Sequence, residues 1–151
     1  MSVITSVIGN TCDSNGAEFV RQERFVLTAE ERSSAHGVIF SENEVSLNIS
    51  LPRGTELEDG DILSIEHGVA MVISAANEDI FLLEPDTSLK WGVAGYTLGN
   101  LHRPVRFWGN KILTPKNEKV ADVLMAADLA FVEKCAPFVG KRYGAFTAHS
   151  H

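Results

Sequence analysis

Val105-Arg106-Phe107-Trp108-Gly109-Asn110-Lys111-Ile112-Leu113 reads as two short strands about a Gly-Asn turn. That residue pair favours the positive φ a tight hairpin needs. Upstream of it lies a helix pattern that Asp86, Thr87 or Ser88 can cap and that runs to about Gly99. Leu89, Val93 and Tyr96 fall at i, i+4 and i+7, which makes them its expected apolar face. Before the helix, Asp79 to Glu84 has the composition of a strand. Downstream, Thr114-Pro115 opens a second helix, with proline at the permitted first turn. Val120, Val123, Leu124 and Ala127 form its stripe, and Phe131 to Phe138 reads as a closing strand. The order is βαββαβ, the ferredoxin-like arrangement.

Working back to the start, residues 1–75 are nearly all β. The clearest signal is Val45, Leu47, Ile49 and Leu51 alternating with Ser46, Asn48 and Ser50, a strand with one buried and one wet face. Pro52-Arg53-Gly54-Thr55 ends it. Ile62 to Ile65 and Val69 to Ile73 form a hairpin about Glu66-His67-Gly68. Glu18 to Leu27 is a strand, and Thr28 with Glu31 has capping-box spacing for one helical turn. Gly60 stands where φ > 0 is expected, with Asp59 and Asp61 as turn carboxylates. The expectation is an α+β chain: an N-terminal all-β domain over 1–75, suited to binding a partner or peptide; a ferredoxin-like domain over 76–140; and a flexible, histidine-containing tail over 141–151. Gly-containing and polar sequence begins already at Val139.

The formal charge of -7 and pI near 5.2 argue against a nucleic-acid footprint, which needs clustered Lys and Arg. No apolar stretch approaches the ~20 residues of a membrane helix. Met1-Ser2-Val3-Ile4-Thr5 lacks the features of a signal peptide, so a cytoplasmic protein is expected. Cys12 and Cys135 form no CxxC and are expected as free thiols. No P-loop, nucleophile elbow or HExxH pattern is present.

What remains for chemistry is histidine. His102 lies in Gly95-Tyr96-Thr97-Leu98-Gly99-Asn100-Leu101-His102-Arg103-Pro104, where a helix breaks into an extended segment. The Gly-Asn pair offers a stop and Pro104 forbids continuation. His149 and His151 stand at i, i+2 near the end of the sequence, a spacing that lets both reach one ion. His36 and His67 read as strand-edge and turn residues. An imidazole set of this kind suits Ni2+, Zn2+ or Cu2+. A metal-dependent enzyme would need a general base beside the metal, yet the nearest carboxylates in sequence are Asp86 and Glu118. A third reading is an interaction scaffold acting through the β domain.

Several segments resemble one family, the urease accessory protein UreE. They are Val7-Ile8-Gly9-Asn10, Arg24-Phe25-Val26-Leu27-Thr28 with Glu30-Glu31-Arg32, and Leu51-Pro52-Arg53-Gly54-Thr55 followed by Leu57 and Asp59-Gly60-Asp61. To these add Tyr96 with Leu98-Gly99-Asn100 and His102, then Ala136-Pro137-Phe138 and Gly144-Ala145-Phe146. The resemblance implies a nickel metallochaperone rather than an enzyme, delivering Ni2+ for urease maturation, with Zn2+ or Cu2+ as competitors. It implies a homodimer joined through the ferredoxin-like domains. His102 of both subunits would meet at the two-fold axis, with His149 and His151 completing the coordination. The implied partner is the accessory GTPase of the urease maturation complex. A two-fold axis doubles every ligand, so a lone His102 is half a site. Two departures stand out: Thr97 where many members carry histidine, and Leu101 where many carry arginine. The short His149-Ser150-His151 ending replaces the long histidine-rich tail of many members.

Overall fold

The computed structural model describes residues 3–13 and 21–143. The chain divides into two compact units, the first through Ala76 and the second from Asn77.

The first unit carries two sheets. Strands β1 (Val3–Ile4), β5 (Ser46–Ser50) and β4 (His36–Phe40) form one, in the order β1-β5-β4. Strands β2 (Gly9–Asn10), β6 (Asp61–Glu66), β7 (Val69–Ala75) and β3 (Arg21–Leu27) form the other, in the order β2-β6-β7-β3. Helix α1 (Ala29–Arg32) is the one helical turn, with Thr28 and Glu31 in a reciprocal capping box as the sequence indicates. The alternation of β5 places Ile49 and Leu51 inward, against Phe25, Leu27, Ile39, Leu57, Leu63 and Ile73. Each such side chain contributes roughly 1.5–3 kcal/mol when fully buried.

The turns obey their residues. His67 and Gly68 adopt φ 52° and 78°, closing the β6–β7 hairpin. Gly60 takes φ 88°, and a Cβ there would meet Thr11 Oγ1 at 2.6 Å. Asp59 accepts the Ala75 amide at 2.8 Å, and Asp61 accepts the Glu58 amide at 2.7 Å. Both carboxylates therefore hold loops. Arg32, 2% exposed, donates to the Leu57 carbonyl at 3.3 Å and pairs with Glu56 at 3.7 Å. It staples α1 beneath the segment that follows Leu51-Pro52-Arg53-Gly54-Thr55.

The second unit is one antiparallel sheet with two helices. Its strands are β8 (Asn77–Leu83), β9 (Arg106–Trp108), β10 (Lys111–Pro115) and β11 (Val132–Pro137), in the order β11-β8-β10-β9. Helix α2 (Ser88–Asn100) follows β8 and α3 (Glu118–Ala126) follows β10. Fourth strand, first, third, second: the ferredoxin-like topology read from the sequence is the one formed.

Three local readings are corrected. Pro115 ends β10 rather than opening α3, whose cap is Asn117, accepting from the amides of Lys119 and Val120. An Asn side chain that satisfies two orphan amides is the stronger helix start. Helix α2 ends at Asn100, within one residue of the expected Gly99. Its buried face is Ala94 and Leu98, with Trp91, Val93 and Leu101 packed partly against the same core. Leu89 and Tyr96 face outward, 76% and 74% exposed. Two apolar stripes fit the helical period, Leu89-Val93-Tyr96 and Trp91-Ala94-Leu98-Leu101. Small Ala94 lets the second lie close to the sheet.

The third correction concerns the expected mobile tail. After β11 the chain crosses from one edge of the sheet to the other, where Lys141 pairs with Phe107 of β9. Phe138 is buried beneath the Arg106 guanidinium, 4.8 Å from its ring centroid, and Tyr143 sits edge-on to Phe107 at 5.5 Å. From Pro137 to Lys141 is four steps, about 14 Å of extended chain, which matches three strand spacings of about 4.8 Å. The sequence through Tyr143 is thus a strap. The rest of the expected tail, with His149 and His151, lies outside the described residues.

Candidate metal centre

His102 owes its position to how α2 ends. The Arg103 amide bonds the Leu98 carbonyl at 3.3 Å, and the His102 amide bonds the Gly99 carbonyl at 3.0 Å. These are the paired bonds of a Schellman motif, with Leu101 as C-cap and His102 as the residue beyond it. That residue must be left-handed, and His102 has φ 55°. Glycine is the usual occupant, since a side chain in this region costs about 1–2 kcal/mol. Strained residues of this kind concentrate at functional sites.

The segment after His102 is pinned as well. Thr114, fully buried on β10, donates its hydroxyl to the Pro104 carbonyl at 2.9 Å. The imidazole therefore stands exposed on a short corner held at both ends: by α2 through its cap and by β10 through Pro104. The corner also lies at the negative end of the α2 dipole, and no basic residue stands in the last turn of that helix. A cation there gains about 0.3–1 kcal/mol. Leu101 is half-buried against the core, so its apolar character serves packing. Thr97 is half-buried one turn earlier.

No group of three or more His, Cys, Asp or Glu suited to a metal occurs among the described residues. Of the described histidines, His102 is the one in the second unit. Of the other histidines, His36 Nδ1 lies 3.1 Å from the Ser50 hydroxyl across the β4–β5 pair, and His67 makes a turn. Cys12 and Cys135 are both free and exposed. Trp91 packs partly into the core, whereas Trp108 is exposed.

Sequence reasoning missed two features of this unit. One is that the face of α2 with Leu89 and Tyr96 points outward. The exposed side of a two-striped helix leaves no sequence signal of its own. The other is the strap, whose signal lay in Gly140. With φ 130° and a virtual Cβ 2.8 Å from the Phe107 carbonyl oxygen, that position excludes other residues.

The described residues thus form an α+β protein of two units, a β unit and a ferredoxin-like unit with a solvent-facing histidine at a helix end. The family model described as "UreE urease accessory protein, N-terminal domain" matches residues 4–76. A urease accessory protein UreE from Synechococcus sp. (strain JA-3-3Ab) is 30% identical over 112 residues, 74% of this chain and 75% of the relative. The UreE of Deinococcus radiodurans is 30% identical over 115 residues, 76% of this chain and 74% of the relative. That of Burkholderia mallei (strain ATCC 23344) is 33% identical over 103 residues, 67% of this chain and 56% of the relative. The chain belongs to the UreE family of urease accessory proteins. No helix among the described residues is long and apolar enough to cross a membrane.

Proposed function

We propose that the protein is a nickel carrier in urease maturation, not an enzyme. Two protomers join through their ferredoxin-like units, and the two His102 side chains share one Ni2+. The observation that carries this reading is the placement of His102: exposed, left-handed, at a helix C-terminus, and the one described histidine of its unit. A single imidazole holds a divalent ion poorly, so this corner needs further ligands, which a second copy and the tail histidines would bring. The outward Leu89 and Tyr96 on the same helix supply an apolar surface for that copy. A two-fold axis at the helix end brings His102 against its own equivalent.

His149 and His151 are the proposed additional ligands, and chain length permits it. His102 lies five residues from Phe107, at most about 17 Å. Lys141 pairs with Phe107, about 5.5 Å away in a hydrogen-bonded pair. Eight residues from Lys141 to His149 span up to about 27 Å, more than the two distances together. Two His102 with two or more tail histidines give roughly four to six imidazole nitrogens, a set that also admits Zn2+ and binds Cu2+ more tightly. Selection of nickel then falls to the cell or to the receiving partner, for which we propose the accessory GTPase of urease maturation in the cytoplasm. Release needs only moderate affinity. A micromolar constant, about 8 kcal/mol, allows both capture and transfer, and the tail can lead the ion away as His102 lets go.

Nickel titration combined with mass in solution tests this. One ion per two chains is expected, and it should be lost in His102→Ala. Binding by that variant with unchanged affinity overturns the assignment.

A further inference from the structure

Helices α2 and α3 end alike. In α3 the amides of Asp128 and Leu129 bond the carbonyls of Met125 and Leu124 at 3.1 and 3.0 Å. Ala127 is the C-cap, and Asp128 is left-handed at φ 57°. Residue for residue this repeats the cap of α2, with Leu124 in the place of Leu98, Asp128 of His102 and Leu129 of Arg103. The last position of such a cap commonly packs an apolar side chain against the helix. Leu129 is buried in this way, 5% exposed within the core of the unit. Arg103 brings a guanidinium to the same position. The residue is half-buried, and its Nε is closed off from solvent with no hydrogen-bond partner. No ion pair among the described residues involves it. A buried donor left unpaired carries the full desolvation penalty of that group. A leucine would avoid it, as Leu129 does.

We propose that Arg103 holds a carboxylate that accompanies the nickel ion at the His102 corner, so that the cargo is bound as a nickel–carboxylate pair. This rests on the reading of His102 as a nickel ligand. An unpaired guanidinium Nε is one prong of a planar fork that fits the two oxygens of a carboxylate. Charge calls for the same ligand. Imidazoles are neutral, so a nickel ion held by them keeps its full double charge. Arg103, next in the chain to His102, adds a further positive charge from each protomer. Like charges at short range repel, and an anion beside both replaces that repulsion with attraction. No described carboxylate pairs with Arg103, so the anion comes from outside those residues, as a small free carboxylate or as an acidic side chain of the protein that receives the ion. The coupling is reciprocal: the carboxylate tightens nickel, and nickel tightens the carboxylate. Withdrawal of the carboxylate then loosens the ion for transfer.

The test titrates nickel into the full chain at about pH 8, where imidazoles are neutral, first in chloride and then at the same ionic strength with acetate or with a blocked tripeptide whose central residue is glutamate. A carboxylate should tighten nickel binding by about fivefold or more. Enhancement by acetate alone supports a small-molecule source, by the peptide alone a protein source, and by both a site open to either. Arg103→Leu should bind nickel in chloride at least as tightly as the parent, with the same stoichiometry, and should lose the enhancement. Arg103→Gln, which keeps a polar side chain and drops the charge, should lose it too. Arg103→Leu should also unfold at a higher urea concentration, because it puts at 103 the residue that the cap of α3 carries. No enhancement in the parent, enhancement that survives both substitutions, or a lower urea midpoint in Arg103→Leu overturns the proposal. Nickel binding that survives His102→Ala overturns instead the reading of His102 on which the proposal rests.

Discussion

Phe107 and Lys141 exchange both backbone hydrogen bonds, each 2.8 Å long, so that the chain beyond β11 is fastened to the opposite edge of its own sheet. Gly140 makes this possible. Gly140→Ala places a methyl against the Phe107 carbonyl and forces an L side chain into φ 130°. The expected cost is about 1–3 kcal/mol. Limited trypsin digestion reads the local consequence: cleavage after Lys141 and Arg142 should accelerate in the variant. Equal rates in both proteins would show that the strap does not depend on this pair.

His102→Gly separates the histidine's chemistry from its backbone. Glycine suits φ 55°, so relief of the left-handed strain, less the entropy glycine loses on folding, should leave the protein equally stable or up to about 1 kcal/mol more stable. Nickel binding should nevertheless disappear. Urea unfolding and nickel titration on one sample check both halves. A clearly less stable variant would contradict the cap geometry.

Leu89→Glu and Tyr96→Glu probe the outward face of α2. Both side chains are about three-quarters exposed (76% and 74%), so neither substitution should cost a protomer more than about 0.5 kcal/mol. Two glutamates opposed across a two-fold axis would repel, and the mass in solution should fall to that of one chain with loss of the shared nickel site. Leu98→Ala, on the buried stripe, should instead destabilise the fold by about 2–5 kcal/mol. A Leu89→Glu protein that keeps its dimer mass would remove α2 from the interface.

Acid acts on two places for different reasons. A metal must displace the proton from imidazole, so nickel affinity should be markedly weaker at about pH 5.5 than at about pH 8. Equal affinities would mean that imidazoles are not the ligands. In the first unit, hydrogen bonds from Ser41 and Asn43 hold the Glu23 carboxyl below its ordinary range. A lowered folded value means that the carboxylate stabilises the fold above the unfolded carboxylate pKa. This contribution is lost as pH falls through the lower, folded value. Glu23→Gln should therefore flatten part of the acid limb in a series of urea midpoints from about pH 7 to about pH 3. A limb identical to the parent's would show that the Ser41–Glu23 tether carries no linkage.

Much of the architecture was legible because local chemistry and tertiary structure agree. The Gly109-Asn110 turn, the Thr28–Glu31 box and the alternation around Ile49 each follow from neighbours in sequence, and each forms. His102 was legible as a boundary residue. Its left-handed backbone was not, because Gly99 and Asn100 upstream looked like the better stop. Helix α3 was misplaced by three residues because Pro115 satisfies the rule for a first turn and also for the end of a strand, and only pairing with Ile80 across β8 decides between them.

The sequence by itself determined the element order, and with it the ferredoxin-like unit, since hairpin turns, caps and periodicity are properties of a few adjacent residues. It also determined the family and the histidine worth watching. Tertiary structure alone decided which stripe of α2 is buried and where the chain after Phe138 goes. Each of these depends on residues distant in sequence that compete for one surface: Leu98 against Tyr96 for the core, and Lys141 for the edge beside Phe107. Leu89 and Tyr96 of α2, which periodicity marked as core, are the residues the fold turns to solvent.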